Sequence, residues 1–176
     1  MNKNLLYCFI LLIASCNTVE KSSPSVFFAG EIVNPTSKYV VLHKGEEVID
    51  SALLDTNNRF SFSFDSIPMG LYHFKHAPEY QYVYLEPGDS LMVRLNTVDF
   101  DESLVFSGKG EEVNNFLLDI FLGNEKEEQI IRKNYNALES NNFKEKINSL
   151  QAKKISALKA LQEEGSLSNN AYIIAE

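Results

Sequence analysis

The sequence predicts a mainly β chain followed by α: an antiparallel β-sandwich of about eight strands over residues 26–107, then a helical segment over 108–176. Three observations carry this reading. Apolar residues recur close to every second position from Val26 to Phe106, and turn residues punctuate that stretch at short intervals. At Gly108-Lys109-Gly110 the period then lengthens to a helical one. No gap between the strands has room for a crossover helix, so antiparallel pairing is expected. An open barrel of the same strands is the alternative, and the sandwich is preferred.

Val26, Phe28 and Ile32 mark the first strand, with Gly30 inside it as a bulge or a point of close approach. Phe60, Phe62 and Phe64 alternate with Ser61, Ser63 and Asp65, one dry face and one wet. Tyr72 and Phe74 alternate with His73 and Lys75, and Leu91, Val93 and Leu95 with Met92, Arg94 and Asn96. Asn34-Pro35, Lys44-Gly45, Asn57-Asn58, Pro68-Met69-Gly70 and Pro87-Gly88 lie between the runs. In Glu86-Pro87-Gly88-Asp89 proline presets the first central residue and glycine permits positive φ at the second, which predicts a type II turn.

Beyond the glycines, Val113, Phe116, Leu117, Ile120 and Phe121 share one helical face, with Glu111 and Glu112 in the favourable first turn. A second helix is expected over about 125–138, with a Glu128–Arg132 pair one turn apart, and a third over about 143–163. Lys154 falls within the apolar stripe of the third and reads as a snorkelling side chain. Tyr172, Ile173 and Ile174 close the sequence without a C-cap signal, so further protein is expected after Glu176.

The amino end carries an address. Lys3 precedes an apolar run from Leu5 to Ile13, too short to span a ~30 Å hydrocarbon core. Ile13-Ala14-Ser15-Cys16 resembles a bacterial lipobox, which implies cleavage between Ser15 and Cys16 and acylation of Cys16. The expected organisation is a signal peptide at 1–15, a lipidated tether at 16–25, and then the sandwich. Two or three acyl chains hold a protein stably on a membrane, since each buried methylene contributes roughly 0.8 kcal/mol. The expected location is the cell envelope, lipid-anchored and facing the periplasm or the cell surface. Cleavage removes Cys8 and acylation consumes Cys16, so thiol catalysis by the mature chain is excluded.

Composition narrows the chemistry. A net charge of −8 argues against nucleic acid, which calls for a basic surface. His43, His73 and His76 lack the spacing of a metal set and read as surface histidines; no metal and no cofactor are expected. Asp99, Asp101 and Glu102 read as a solvated connector without the offsets of a calcium loop. Gly108 and Gly110 lack the Lys-Ser/Thr of a phosphate loop, and Ser107 has no nucleophile-elbow context. No catalytic residue is expected. Tyr80, Tyr82 and Tyr84 share one strand face. Turned inward they are core beneath the helices, which is the preferred reading; turned outward they are a stacking platform for a sugar or peptide.

The segments VFFAGEIVN, NRFSFSFDSIPMGLYHF, YVYLEPGDSLMVRLN and FDESLVFSGKGEEVNNFLLD, in that order after a lipobox, resemble the N-terminal region of thioredoxin-like envelope lipoproteins of the TlpA/ResA type from Bacteroidota. In that family a β-rich domain of unknown function precedes a helical segment and a C-terminal thioredoxin fold. The resemblance covers most of 26–122 and implies a membrane-anchored, non-catalytic module that positions a redox domain. The family's Cys-x-x-Cys pair is missing, so no catalytic residue transfers. The alternative is a stand-alone envelope lipoprotein binding a peptide, glycan or partner protein.

Overall fold

The computed structural model describes residues 24–135 and 140–176. Ser15, Cys16, the signal and most of the tether lie outside the described residues, as does Leu138. Among the described residues eight strands form two four-stranded sheets, followed by three α-helices. The strands are β1 (Val26–Val33), β2 (Tyr39–Lys44), β3 (Glu47–Leu53), β4 (Arg59–Phe64), β5 (Gly70–His76), β6 (Glu79–Leu85), β7 (Ser90–Asn96) and β8 (Val105–Lys109). The helices are α1 (Glu111–Asn134), α2 (Ser140–Glu163) and α3 (Asn169–Ala175).

The first sheet has the order β4-β1-β7-β8 and the second β3-β2-β5-β6. The pairs are antiparallel except β1 with β7, which run parallel. The alternating residues of both sheets meet in one core. Phe28 lies at its centre, 5.6 Å from Phe60, 5.5 Å from Phe74 and stacked on Phe62 at 6.2 Å. Val40, Leu42, Val83, Leu85, Leu91, Val93 and Leu95 fill the space around these rings. Full burial of each such side chain contributes roughly 1.5–3 kcal/mol.

Gly30 is a close approach and not a bulge, because the β1–β4 and β1–β7 registers run through it unbroken. A Cβ there would meet Val93 Cγ1 at 2.6 Å and Phe60 Cε1 at 2.7 Å. The turn Glu86–Asp89 forms as expected: Asp89 N donates to Glu86 O at 3.1 Å and Gly88 has φ 94°.

The helical half departs from expectation in one respect. Residues 111–134 form a single helix where two were expected, because Gly123 and Asn124 weaken a helix without ending it. The start of α1 is joined to both sheets through consecutive amides. Asn114 accepts from Tyr84 N at 2.7 Å and donates to Tyr84 O at 2.9 Å and to Gly110 O at 2.8 Å. Asn115 accepts from Phe106 N and donates to Phe106 O, each at 3.0 Å. Tyr84 lies on β6 and Phe106 on β8, the edge strands of the second and first sheets. Each carboxamide thus completes a ladder that a strand edge would otherwise leave open.

A small second apolar cluster beneath the helices joins Tyr84, Val113 and Ala171, with Leu117 and Leu167 against it. Ser168 caps α3 by accepting from Ala171 N at 3.0 Å, and its hydroxyl donates to Glu86 at 2.9 Å. Lys154 does not snorkel. Its ammonium is held between Glu127 at 2.6 Å and Asn124 at 2.5 Å, tying α2 to α1.

Candidate functional site

The tyrosine strand divides at the helices. The outward face of β6 carries Tyr80 and Tyr82, 52% and 49% exposed, whereas Tyr84 on the same face is 1% exposed. The start of α1 and α3 cover Tyr84, and its hydroxyl donates to Glu86 at 3.0 Å. Burial first, and the Glu86 carboxylate after it, push the Tyr84 phenol well above its ordinary pKa. Tyr84 is therefore core, and Tyr80 and Tyr82 are surface.

The two exposed tyrosines belong to a wider aromatic row. Register places His43 opposite His73 and His73 opposite Tyr82, so three neighbouring strands each contribute a ring. The imidazoles of His43 and His73 stack with centroids 4.7 Å apart and planes within 5°. His73 meets Tyr80 edge-on at 5.5 Å and Tyr82 at 6.0 Å, and the two tyrosines meet edge-on at 5.8 Å. These offset and perpendicular arrangements suit the ring quadrupoles. Val48 and Lys75 stand beside the row, at the register positions opposite His43 and Tyr80. Partial burial first and the adjacent His43 second hold His73 below the usual histidine pKa, while Glu46 pulls the other way. The result is a flat surface combining π faces, phenol hydroxyls and imidazole nitrogens. Such a surface stacks on a ring and hydrogen-bonds its substituents.

Of the three histidines, His76 differs from the surface reading. His43 and His73 are half-buried on the outer face, whereas His76 is 1% exposed. Its Nε2 accepts from Thr36 N at 3.0 Å and Ser37 N at 3.2 Å, and Nδ1 donates to Tyr39 O at 3.1 Å. The ring is neutral in this arrangement, because a protonated Nε2 would face two backbone donors. Burial holds its pKa below 6.5 in the folded state. The unfolded chain therefore binds the proton more tightly, and the stability from His76 is present above pH 6.5 and lost as pH falls below it. The unfolding free-energy difference between wild type and His76→Gln, followed by urea denaturation, is expected to narrow from pH 7.5 towards pH 5. A difference independent of pH would overturn this assignment.

The acidic connector is also more structured than expected. Asp101 accepts from Gln81 Nε2 at 3.1 Å, and burial raises its pKa. Asp89, buried at the β6–β7 turn, accepts from Glu86 N at 2.8 Å. Its pKa is pushed up to about 6, chiefly by burial. Among the described residues no group of three or more His, Cys, Asp or Glu is placed to hold a metal ion. No described helix is long and apolar enough to cross a membrane.

Sequence reasoning did not single out Asn114, Asn115 or the His43–His73 stack. The amides offered no signal, since polar residues between Val113 and Phe116 are what an amphipathic helix ordinarily carries there. The histidine stack offered none, since strand partners are not written in the alternation.

No protein-family model matches this chain, and no curated protein matches it. Among solved structures there is a likeness to the major pilin subunit BcpA of Bacillus cereus, at 16% identity and a TM-score of 0.29. It covers 49% of this chain and 26% of the pilin. The chain thus spans about a quarter of that protein's length, and a likeness at this level carries no argument about fold or function.

Proposed function

We propose that this chain is the membrane-anchored, non-catalytic N-terminal module of a thiol-disulfide oxidoreductase lipoprotein of the TlpA/ResA type. Its role is to position a redox domain belonging to the same polypeptide. The lipobox at Ile13–Cys16 and the ordered segments from VFFAGEIVN to SGKGEEVNNF support the anchor and the kinship. The observation that carries the positioning role is the double amide junction. With Asn114 bound to one sheet and Asn115 to the other, α1 leaves the sandwich in a fixed direction. A module that holds a domain at a set place needs such a junction.

The reading frame beyond Glu176 tests the kinship directly: it is expected to encode a Cys-x-x-Cys pair, and an immediate stop codon would overturn the proposal. For the anchor, Cys16→Ala is expected to release the protein from cell membranes at high salt. Unchanged retention, with no mass difference beyond that of the substitution itself, would defeat the lipidation claim.

The outward row of half-buried His43 and His73 and exposed Tyr80 and Tyr82 favours a second reading, an envelope lipoprotein that binds a glycan, peptide or partner protein on the outer face of the second sheet. Glycan and peptide arrays probed with wild type and Tyr82→Ala decide this reading. Signals lost in the variant at unchanged stability support it, and blank arrays remove it.

A further inference from the structure

The outward face of the first sheet differs in chemistry from the rest of the chain. Register across β4, β1, β7 and β8 places three cations there: Arg59 and Arg94 flank one carboxylate, Glu31, and Lys109 stands towards the other end of the sheet, opposite Ser90. The two arginines share Glu31, each with Nε at 3.6 Å from one of its oxygens. Their side chains stay 61% and 66% exposed, so neither charge is consumed by the pair. This surplus of positive charge occurs in a chain whose net charge is −8. Exposed Phe27, Met92 and Val105 project from the same face, and the positions between are serines and Ala29. Among the described residues no helix covers this face. Helix α1 binds the β8 backbone at the sheet edge through Asn115.

We propose that this face lies against an anionic lipid surface, with Arg59, Arg94 and Lys109 meeting phosphate headgroups and Phe27, Met92 and Val105 entering the interfacial layer. The inference rests on the anchored reading above and adds an orientation to it. Charge complementarity selects this face. Each cation near an anionic leaflet gains attraction, while the strongly acidic remainder of the chain is repelled from it. Reach agrees, since the chain length between Cys16 and Val26 permits a separation of at most about 30 Å at ~3.3–3.6 Å per residue. They enter β1, an inner strand of this same sheet. The aromatic row, on the other sheet's outer face, is then turned away from the bilayer and stays accessible.

The test uses the full chain carrying Cys16→Ser, so that no acyl chain contributes, with vesicles of one-third phosphatidylglycerol in phosphatidylcholine and vesicles of phosphatidylcholine alone. In this background, combined Arg59→Ser, Arg94→Ser and Lys109→Ser substitutions are expected to lower partitioning onto the anionic vesicles about a hundredfold. High salt is expected to erase the difference. Lys75→Ser, on the opposite outer face, is expected to leave partitioning unchanged. Ser61→Glu with Ser107→Glu, at exposed positions that carry no packing, is expected to reproduce the loss without risk to folding. Equal partitioning of all variants on anionic vesicles would overturn the proposal. The anchor is judged separately, by high-salt membrane retention in cells and its loss in Cys16→Ala. Either claim can therefore fail while the other stands.

Discussion

Asn114→Ala is expected to lower the unfolding free energy by about 3–4 kcal/mol, read as a shifted urea midpoint at unchanged slope. Asn114 is 1% exposed and makes three hydrogen bonds to backbone groups. Removing its carboxamide strands the N–H and the C=O of Tyr84 beneath α1 and α3, where water cannot replace it. Each buried group left without a partner costs about 1–3 kcal/mol, more than the bond itself contributes. Asn115→Ala is expected to cost less, because its bonds to Phe106 are only partly buried. Asn114→Asp separates the contributions, since it keeps the acceptor for Tyr84 N and loses the donor. A cost below about 1 kcal/mol for Asn114→Ala would show that α1 docks through Val113 and Ala171 alone.

Asp89→Asn is expected to act in the opposite direction, stabilising the protein by about 2–3 kcal/mol at pH 8. The carboxyl is buried against Gly110, where an added Cβ would come within 3.0–3.2 Å of it, and Glu86 and Glu112 add repulsion. Its pKa rises from 3.8 to about 6 on folding. Between these values the folded chain holds the proton and the unfolded chain does not, so this group makes stability fall as pH rises. Above pH 6 the penalty is complete, and below 3.8 it vanishes because both states are protonated. Asparagine keeps an oxygen for Glu86 N and carries no charge. The gain should therefore be present at pH 8 and shrink steadily towards pH 4. A gain that is the same at both ends would assign the effect to packing.

The strand content was legible because each inward position alternates with a polar one, as with Phe60, Phe62 and Phe64 against three polar neighbours. Alternation states which face a residue takes and not which strand lies beside it. The parallel β1–β7 pair and the His43–His73 stack were therefore invisible in advance. The three tyrosines show the same limit. Their shared face is local, but the burial of Tyr84 alone depends on where α1 and α3 dock. His76 stood in phase with buried Tyr72 and Phe74, and the strand's end beside Pro78 masked the meaning of that phase. Lys154 read as a snorkel because the stripe on α2 carries no mark of Glu127 opposite it.

The parallel pairing of β1 with β7 also sets an order of assembly. The first strand of the domain lies between β4 and β7, more than fifty residues downstream in the latter case, so neither flank exists when it is made. Val26–Val33 can pair with Arg59–Phe64 first, but its other flank stays open until Ser90–Asn96 has followed. Such distant closure slows folding.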